Sequence, residues 1–171
     1  RAYVENGGTL FAEMWCGFKD DRTFVYETVP GAGLAEVLHC KEVQTSPRPA
    51  TLKISTRHEA VGLLPVGAEI PVFKWYEQLA LLDGANVLAT FDDGSPAIVA
   101  GRYGKGKTLY VAMPVCRYFD ESLNANALAV LQGAASWAGA RPPVEVRREP
   151  ATASVECRIL EAKDGRRVLI V

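Results

Sequence analysis

The chain is poor in the residues that most often carry chemistry. Among its 171 residues there are two histidines, and its four cysteines, Cys16, Cys40, Cys116 and Cys157, stand far apart with no Cys-x-x-Cys and no Cys/His ligand spacing. Each cysteine therefore reads as a reduced, buried thiol behaving as a small hydrophobe, and neither a metal site nor a cofactor site is expected. A reducing compartment, the cytoplasm, is the expected location. Charge of one sign is missing too: 19 basic residues against 20 acidic ones leave a net charge of -1. With no charged run to build a field over one face, nucleic acid and anionic membrane are poor partners. No apolar run approaches the roughly 20 residues that cross a bilayer, and the first residues lack the pattern of a signal peptide.

What is there is enough apolar residue, 49% of the chain, for one substantial core and a small appendage. Arg1 to Gly8 reads as the last turns of a helix stopped by Gly7 or Gly8. Thr9 to Trp15 then reads as a parallel strand covered on both faces, so that helix, turn and strand make half of a βαβ unit. Pro30-Gly31 marks a turn before a short helix over Gly33 to His39. Lys41 to Thr56 is Thr/Val/Ile-rich and broken by prolines, hence extended and partly at an edge. Glu69 to Leu82 is also read as extended, with a helix over Trp75 to Leu82 as the alternative.

Three strand signals follow, Ala85 to Thr90, Pro96 to Arg102 and Lys107 to Met113, joined by turns at Asp92-Asp93-Gly94 and Tyr103-Gly104-Lys105-Gly106. Leu123, Ala127, Leu128, Leu131, Ala135 and Ala138 recur at helical spacing and predict one helix from Ser122 to Trp137, ended by Gly139. Arg141-Pro142-Pro143 reads as a linker. Val155 to Leu160 and the Asp164-Gly165 turn then predict the first strands of a separate β-domain. Both ends read as cuts: the opening strand and most of a helix are expected before Arg1, and more of the β-domain after Val171. βα units and a meander together predict a three-layer α/β domain with a mixed sheet.

Four patterns suggest chemistry. Gly101 to Thr108 matches the phosphate-loop formula Gly-x-x-x-x-Gly-Lys-[Ser/Thr]. That formula needs a helix after it, and here the β-prone Leu109-Tyr110-Val111 follows, so a hairpin is expected. Cys16 follows a strand, where α/β enzymes hold a nucleophile, and His39 or His58 would be its base. No helix opens after Cys16 to lower its pKa. The acids Glu13, Asp20, Asp21, Asp92 and Asp93 include no assignable glycosidase pair. Trp15, Phe18, Phe24, Tyr26, Trp75 and Tyr76 form an aromatic pool that a sugar could stack on, with core or interface packing as the commoner use.

Two stretches carry a family likeness. The first is Tyr3-Val4-Glu5-Asn6-Gly7-Gly8-Thr9-Leu10-Phe11 with Cys16-Gly17-Phe18-Lys19-Asp20, Pro30-Gly31 and Leu34 to Leu38. The second is Val87 to Val99, containing Asp93-Gly94-Ser95-Pro96-Ala97, with Tyr103-Gly104-Lys105-Gly106 behind it. Their order resembles the trimerisation domain of glycoside hydrolase family 42 β-galactosidases.

The resemblance covers residues 1–140, with 144–171 as the beginning of a C-terminal β-domain. It implies a three-layer α/β/α sandwich with a mixed, largely parallel sheet, amidotransferase-like and flavodoxin-like. It implies that the chain is a non-catalytic oligomerisation domain, with no catalytic, cofactor or metal residues of its own. Its partners would be copies of itself, in a trimer, and an upstream catalytic barrel in cis that hydrolyses β-galactosides or related sugars. Cys16 sits where the related amidotransferases keep their nucleophile and where this family usually has a small residue. A cysteine-dependent hydrolase or amidotransferase, and a carbohydrate-binding module, are the alternatives.

Overall fold

A computed structural model describes residues 1–141 and 158–170. It divides into two compact units, Arg1–Gly139 and Ala140–Val171.

In the first unit, the short helix α1 (Ala2–Glu5) stops where the Gly7 and Gly8 N–H groups donate to the Val4 and Tyr3 carbonyls. It leads into β1 (Thr9–Glu13). Helix α2 (Leu34–Leu38) follows a long loop and runs directly into β2 (Cys40–Ser46), then β3 (Ala50–Ile54). A single 3-10 turn, Glu59–Val61, precedes β4 (Glu69–Val72) and β5 (Tyr76–Leu81). The meander is β6 (Asn86–Phe91), β7 (Pro96–Tyr103) and β8 (Gly106–Val111), and the unit closes with α3 (Val115–Ser122) and α4 (Ala125–Trp137).

Six strands form one mixed sheet, curled as a half-barrel, in the order β1-β8-β7-β6-β3-β4. Only β1 and β8 run parallel, and every other pairing in it is antiparallel. The expectation of a largely parallel sheet is therefore wrong. Hairpins, which join antiparallel neighbours with short turns, supply the middle of the sheet, and one long connection supplies the single parallel pair. β1 is an edge strand with Ala12 alone buried, not a strand covered on both faces. β2 and β5 pair separately as an antiparallel ribbon. The ribbon joins the main sheet through the Glu77 N–H, which donates to the Ala112 carbonyl at 2.8 Å, and through Tyr76 packed on Phe91, ring centroids 4.3 Å apart.

The stretch Glu69 to Leu82 is two strands, so the helix alternative over Trp75 to Leu82 is not realised. The helix expected over Ser122 to Trp137 is two helices. Leu123, placed on its apolar stripe, adopts φ 52° between them and is exposed. Asn124 then caps α4, its side chain accepting from the Asn126 and Ala127 N–H groups. The buried face of α4 is Ala127, Val130, Gly133 and Ala134, while Ala135 and Ala138 face out. Close approach decides this rotation: a Cβ on Gly133 would lie 2.1 Å from the Gly62 nitrogen, and one on Gly62 would lie 2.3 Å from the Ala129 carbonyl oxygen. Helix α4 rests on the 3-10 turn by having no side chain there.

The core is one cluster, from Leu38 and Cys40 through Leu52, Ile70 and Leu88 to the inner residues of β7 and β8. Burying a full-sized side chain of this kind stabilises by about 1.5–3 kcal/mol. In the second unit β9 (Arg158–Glu161) and β10 (Arg167–Ile170) form an antiparallel hairpin with Gly165 in its turn at φ 83°. The rest of the expected β-domain, 144–157, lies outside the described residues.

Candidate functional site at the ends of the parallel strands

The parallel pair β1–β8 creates the one place where an α/β fold would hold a nucleophile, just past the strand ends. There the chain turns sharply: Trp15 takes the left-handed region at φ 69°, and the Cys16 N–H donates to the Glu13 carbonyl. Such a conformation costs a non-glycine residue of order 1 kcal/mol and needs outside support. Glu77 of β5 supplies it. One carboxylate oxygen accepts from the Trp15 N–H at 2.9 Å and the other from the Tyr110 hydroxyl, in a fully buried position.

Burial raises the Glu77 carboxyl to about 7, against the opposing pull of its bonds to Tyr110 and the Trp15 N–H. Burial, with Glu77 next to it, also pushes the Tyr110 phenol far up, and the same two causes raise the Cys16 thiol. Cys40, buried in the same cluster, is pushed to about 12. The raised Cys16 and Cys40 thiols both disfavour a thiolate.

Neither histidine is brought to Cys16: both lie by Gly84 and Arg102, level with the start of β1 rather than its end. His39 lies with Nδ1 2.6 Å from the Asp83 carbonyl and Nε2 2.8 Å from the Arg102 carbonyl, tying α2 to the β5–β6 turn and to β7. His58 uses Nδ1 to accept from the Ala60 N–H as a cap and packs edge-on against Trp137.

Glu13 is spent likewise, accepting from the Cys116 N–H at 3.0 Å at the start of α3. Cys116 itself is exposed, against the expectation of a buried thiol, because α3 turns it outward; Cys40 is buried and Cys16 half-buried, and Cys157 lies outside the described residues. Among the described residues no three His, Cys, Asp or Glu side chains are grouped to hold a metal ion.

The phosphate-loop look-alike is a hairpin. Gly101 pairs with Thr108 across β7–β8, and Gly104 takes φ 58° in the turn, close against the Glu5 backbone. Asp93, expected as plain turn chemistry, does more. Its carboxylate accepts from Ser95, Tyr76, Gln78 and Arg48 and ties the β6–β7 turn to β5. Burial pushes its pKa up, but the Ser95, Tyr76 and Gln78 hydrogen bonds outweigh that and hold it down to about 2.

The aromatic pool divides. Tyr76 is core, whereas Trp15 is exposed beside the half-buried Trp75, ring centroids 5.7 Å apart. Lys74 and Arg117 lie over the Trp75 ring at 5.7 and 5.9 Å. Phe73, also exposed, packs on Tyr118 of α3. Val72, Met113 and Pro114 complete a shallow apolar platform between these rings. Sequence reasoning missed Glu77 altogether; a lone acid inside the apolar run Trp75 to Leu81 was the available signal.

Fold and site together define a mixed-sheet α/β scaffold whose strand-end carboxylates are consumed internally and which exposes an aromatic patch at Trp15 and Phe73. Comparison with known proteins gives the family. A family model described as the beta-galactosidase trimerisation domain matches residues 1–138, and the chain belongs to that family. It is 32% identical over 116 residues, 65% of its length, to the beta-galactosidase LacZ of Heyndrickxia coagulans, of which it spans 16%. In fold it is similar to a GH42 beta-galactosidase of G. stearothermophilus, with TM-score 0.70 and 17% identity over 95% of this chain and 22% of that one. A cytoplasmic protein of Salmonella typhimurium is similar with TM-score 0.61 and 18% identity over 80% of this chain and 57% of that one. No helix among the described residues is long and apolar enough to cross a membrane.

Proposed function

We propose that the chain is the non-catalytic assembly domain of a β-galactosidase-type glycoside hydrolase, holding three copies of its parent together, while a barrel elsewhere in the parent cleaves the sugar. The family match over residues 1–138 carries this reading. It is supported by the strand-end site, where Glu13 and Glu77 are engaged in structural hydrogen bonds, and by the two histidines, which bond to backbone groups elsewhere in the unit. The raised Cys16 thiol argues in the same direction. We place no catalytic, cofactor or metal residue in the chain. The division into 1–140 and a β-domain from 144, and a cytoplasmic location, belong to the same reading. So does descent from the amidotransferase-like three-layer fold, of which the parallel β1–β8 pair and the turn at Trp15-Cys16 are the supporting features.

Sedimentation equilibrium of the intact parent tests the proposal. Three copies per particle are expected, and a fully active monomer overturns it.

A further inference from the structure

A closed ring of three identical copies cannot use a self-complementary patch. Each contact is heterologous, so one chain must carry two different surfaces that fit each other. Two such surfaces stand out in the first unit.

One is a rigid tip. Lys19 and Val25 form an isolated antiparallel bridge, and Asp20 folds the turn between them: its backbone N–H donates to the Phe24 carbonyl, and its carboxylate accepts from the Arg22 and Phe24 N–H groups at 2.9 and 2.8 Å. That cage holds Phe24 69% and Val25 53% exposed. An ordered loop presenting apolar side chains to water is already shaped for a partner, because the ordering entropy is spent before binding.

The other is a platform where Phe73, 54% exposed, and the half-buried Trp75 and Pro114 lie over the buried Met113 and Tyr118, with the cations Lys74 and Arg117 at its rim. At the tip Asp20 and Asp21 are flanked by Lys19 and Arg22, and Asp20 is taken up by the turn's own hydrogen bonds, which leaves Asp21 as the acid available to a partner; the platform carries Lys74 and Arg117 with Glu121. Glu121 partly offsets Arg117, to which it is paired at 2.8 Å, and leaves Lys74 as the platform's unpaired cation among the described residues.

We propose that the Asp20–Val25 tip of one copy packs on the Phe73–Trp75–Tyr118 platform of the next, with Asp21 facing Lys74. This rests on the assembly reading above and names its contact. The Glu77 bond to the Trp15 backbone then acquires a use, since it fixes the turn that places Trp15 against Trp75 at the platform's edge.

The test uses the intact parent, with Phe24→Asp as a dead tip and Phe73→Asp as a dead platform, each checked by circular dichroism for an unchanged fold. Each alone is expected to weaken trimer formation at least about 30-fold, the scale of a central aromatic anchor. Mixed together they must form one-to-one dimers, because the Phe73→Asp copy keeps its tip and the Phe24→Asp copy keeps its platform. A second measurement is independent of such losses: Val25→Cys with Lys74→Cys in one chain, with Cys116→Ser removing the exposed native thiol beside the platform, should cross-link under oxidation into dimers and closed trimers, and neither single cysteine variant should. Wild-type trimers that survive both aspartate variants, with no cross-link, overturn the proposed contact and leave the assembly reading standing. A wild-type parent that is monomeric overturns both.

Discussion

Glu77 and Asp93 lie at opposite extremes of one chemistry. Each is a carboxylate that accepts from a tyrosine hydroxyl, Tyr110 for one and Tyr76 for the other. Glu77 is fully buried with two donors and sits near 7, whereas Asp93 at the surface turn collects Ser95, Tyr76, Gln78 and Arg48 and sits near 2. The difference teaches that donor count against desolvation, not the presence of a partner, sets whether a buried-side acid resists or welcomes a proton. On the same ground we propose that neither serves as a general acid for a substrate. Glu77 has a suitable pKa but faces the Trp15 turn and Tyr110, and Asp93 is locked as an anion in a loop.

Deleting the inner acid should have the largest effect. Glu77→Ala strands the Trp15 N–H and the Tyr110 hydroxyl, and a loss of about 2–5 kcal/mol in chemical denaturation is expected, at the scale of two unsatisfied buried groups. The pH dependence comes next. Because the folded value lies near 7 and the ordinary value is 4.5, the folded state holds its proton more tightly. Stability is therefore full below 4.5, falls as pH rises to 7, and is flat above. The fall from this residue is about 3 kcal/mol. Glu77→Gln should flatten that slope, read as Tm against pH. An unchanged slope would remove Glu77 as its source.

Asp93→Asn should cost less, about 1 kcal/mol, since the site is half open to solvent and part of the bonding survives. Its pH signature has the opposite sign: the contribution is present above 3.8 and disappears as pH falls through 2. Smallest of all is Lys105→Ala in the look-alike loop, for which no change in stability and no change in nucleotide binding is expected by calorimetry.

The contrast also marks what a sequence displays. The β6–β7–β8 meander was legible because its turns are local: Asp92-Asp93-Gly94 and Gly104-Lys105 set the chain reversal within a few residues. Helix α3 was not, because its first turn has no side-chain cap of its own; the acceptor is Glu13, 103 residues away in the sequence. The face of α4 was misread because the deciding contact is between two glycines, Gly62 and Gly133, which no hydrophobic periodicity reports. The mixed sheet was legible from one βα unit beside a meander; its largely parallel character was what the family likeness implied, and one parallel pair alone forms in the main sheet. The Glu77 cluster joins residues 62 and 33 positions apart. A lone acid in an apolar strand hinted at it, but its partners did not.

We propose that the strand-end site holds the fold together and does no chemistry. The most direct measurement is the turnover of the intact parent carrying Cys16→Ala, taken at matched assembly state. Unchanged kcat and KM for a β-galactoside are expected with the trimer intact. A loss of turnover from that single change, in a protein that still folds and assembles, would contradict the account and return Cys16 to the role its position resembles.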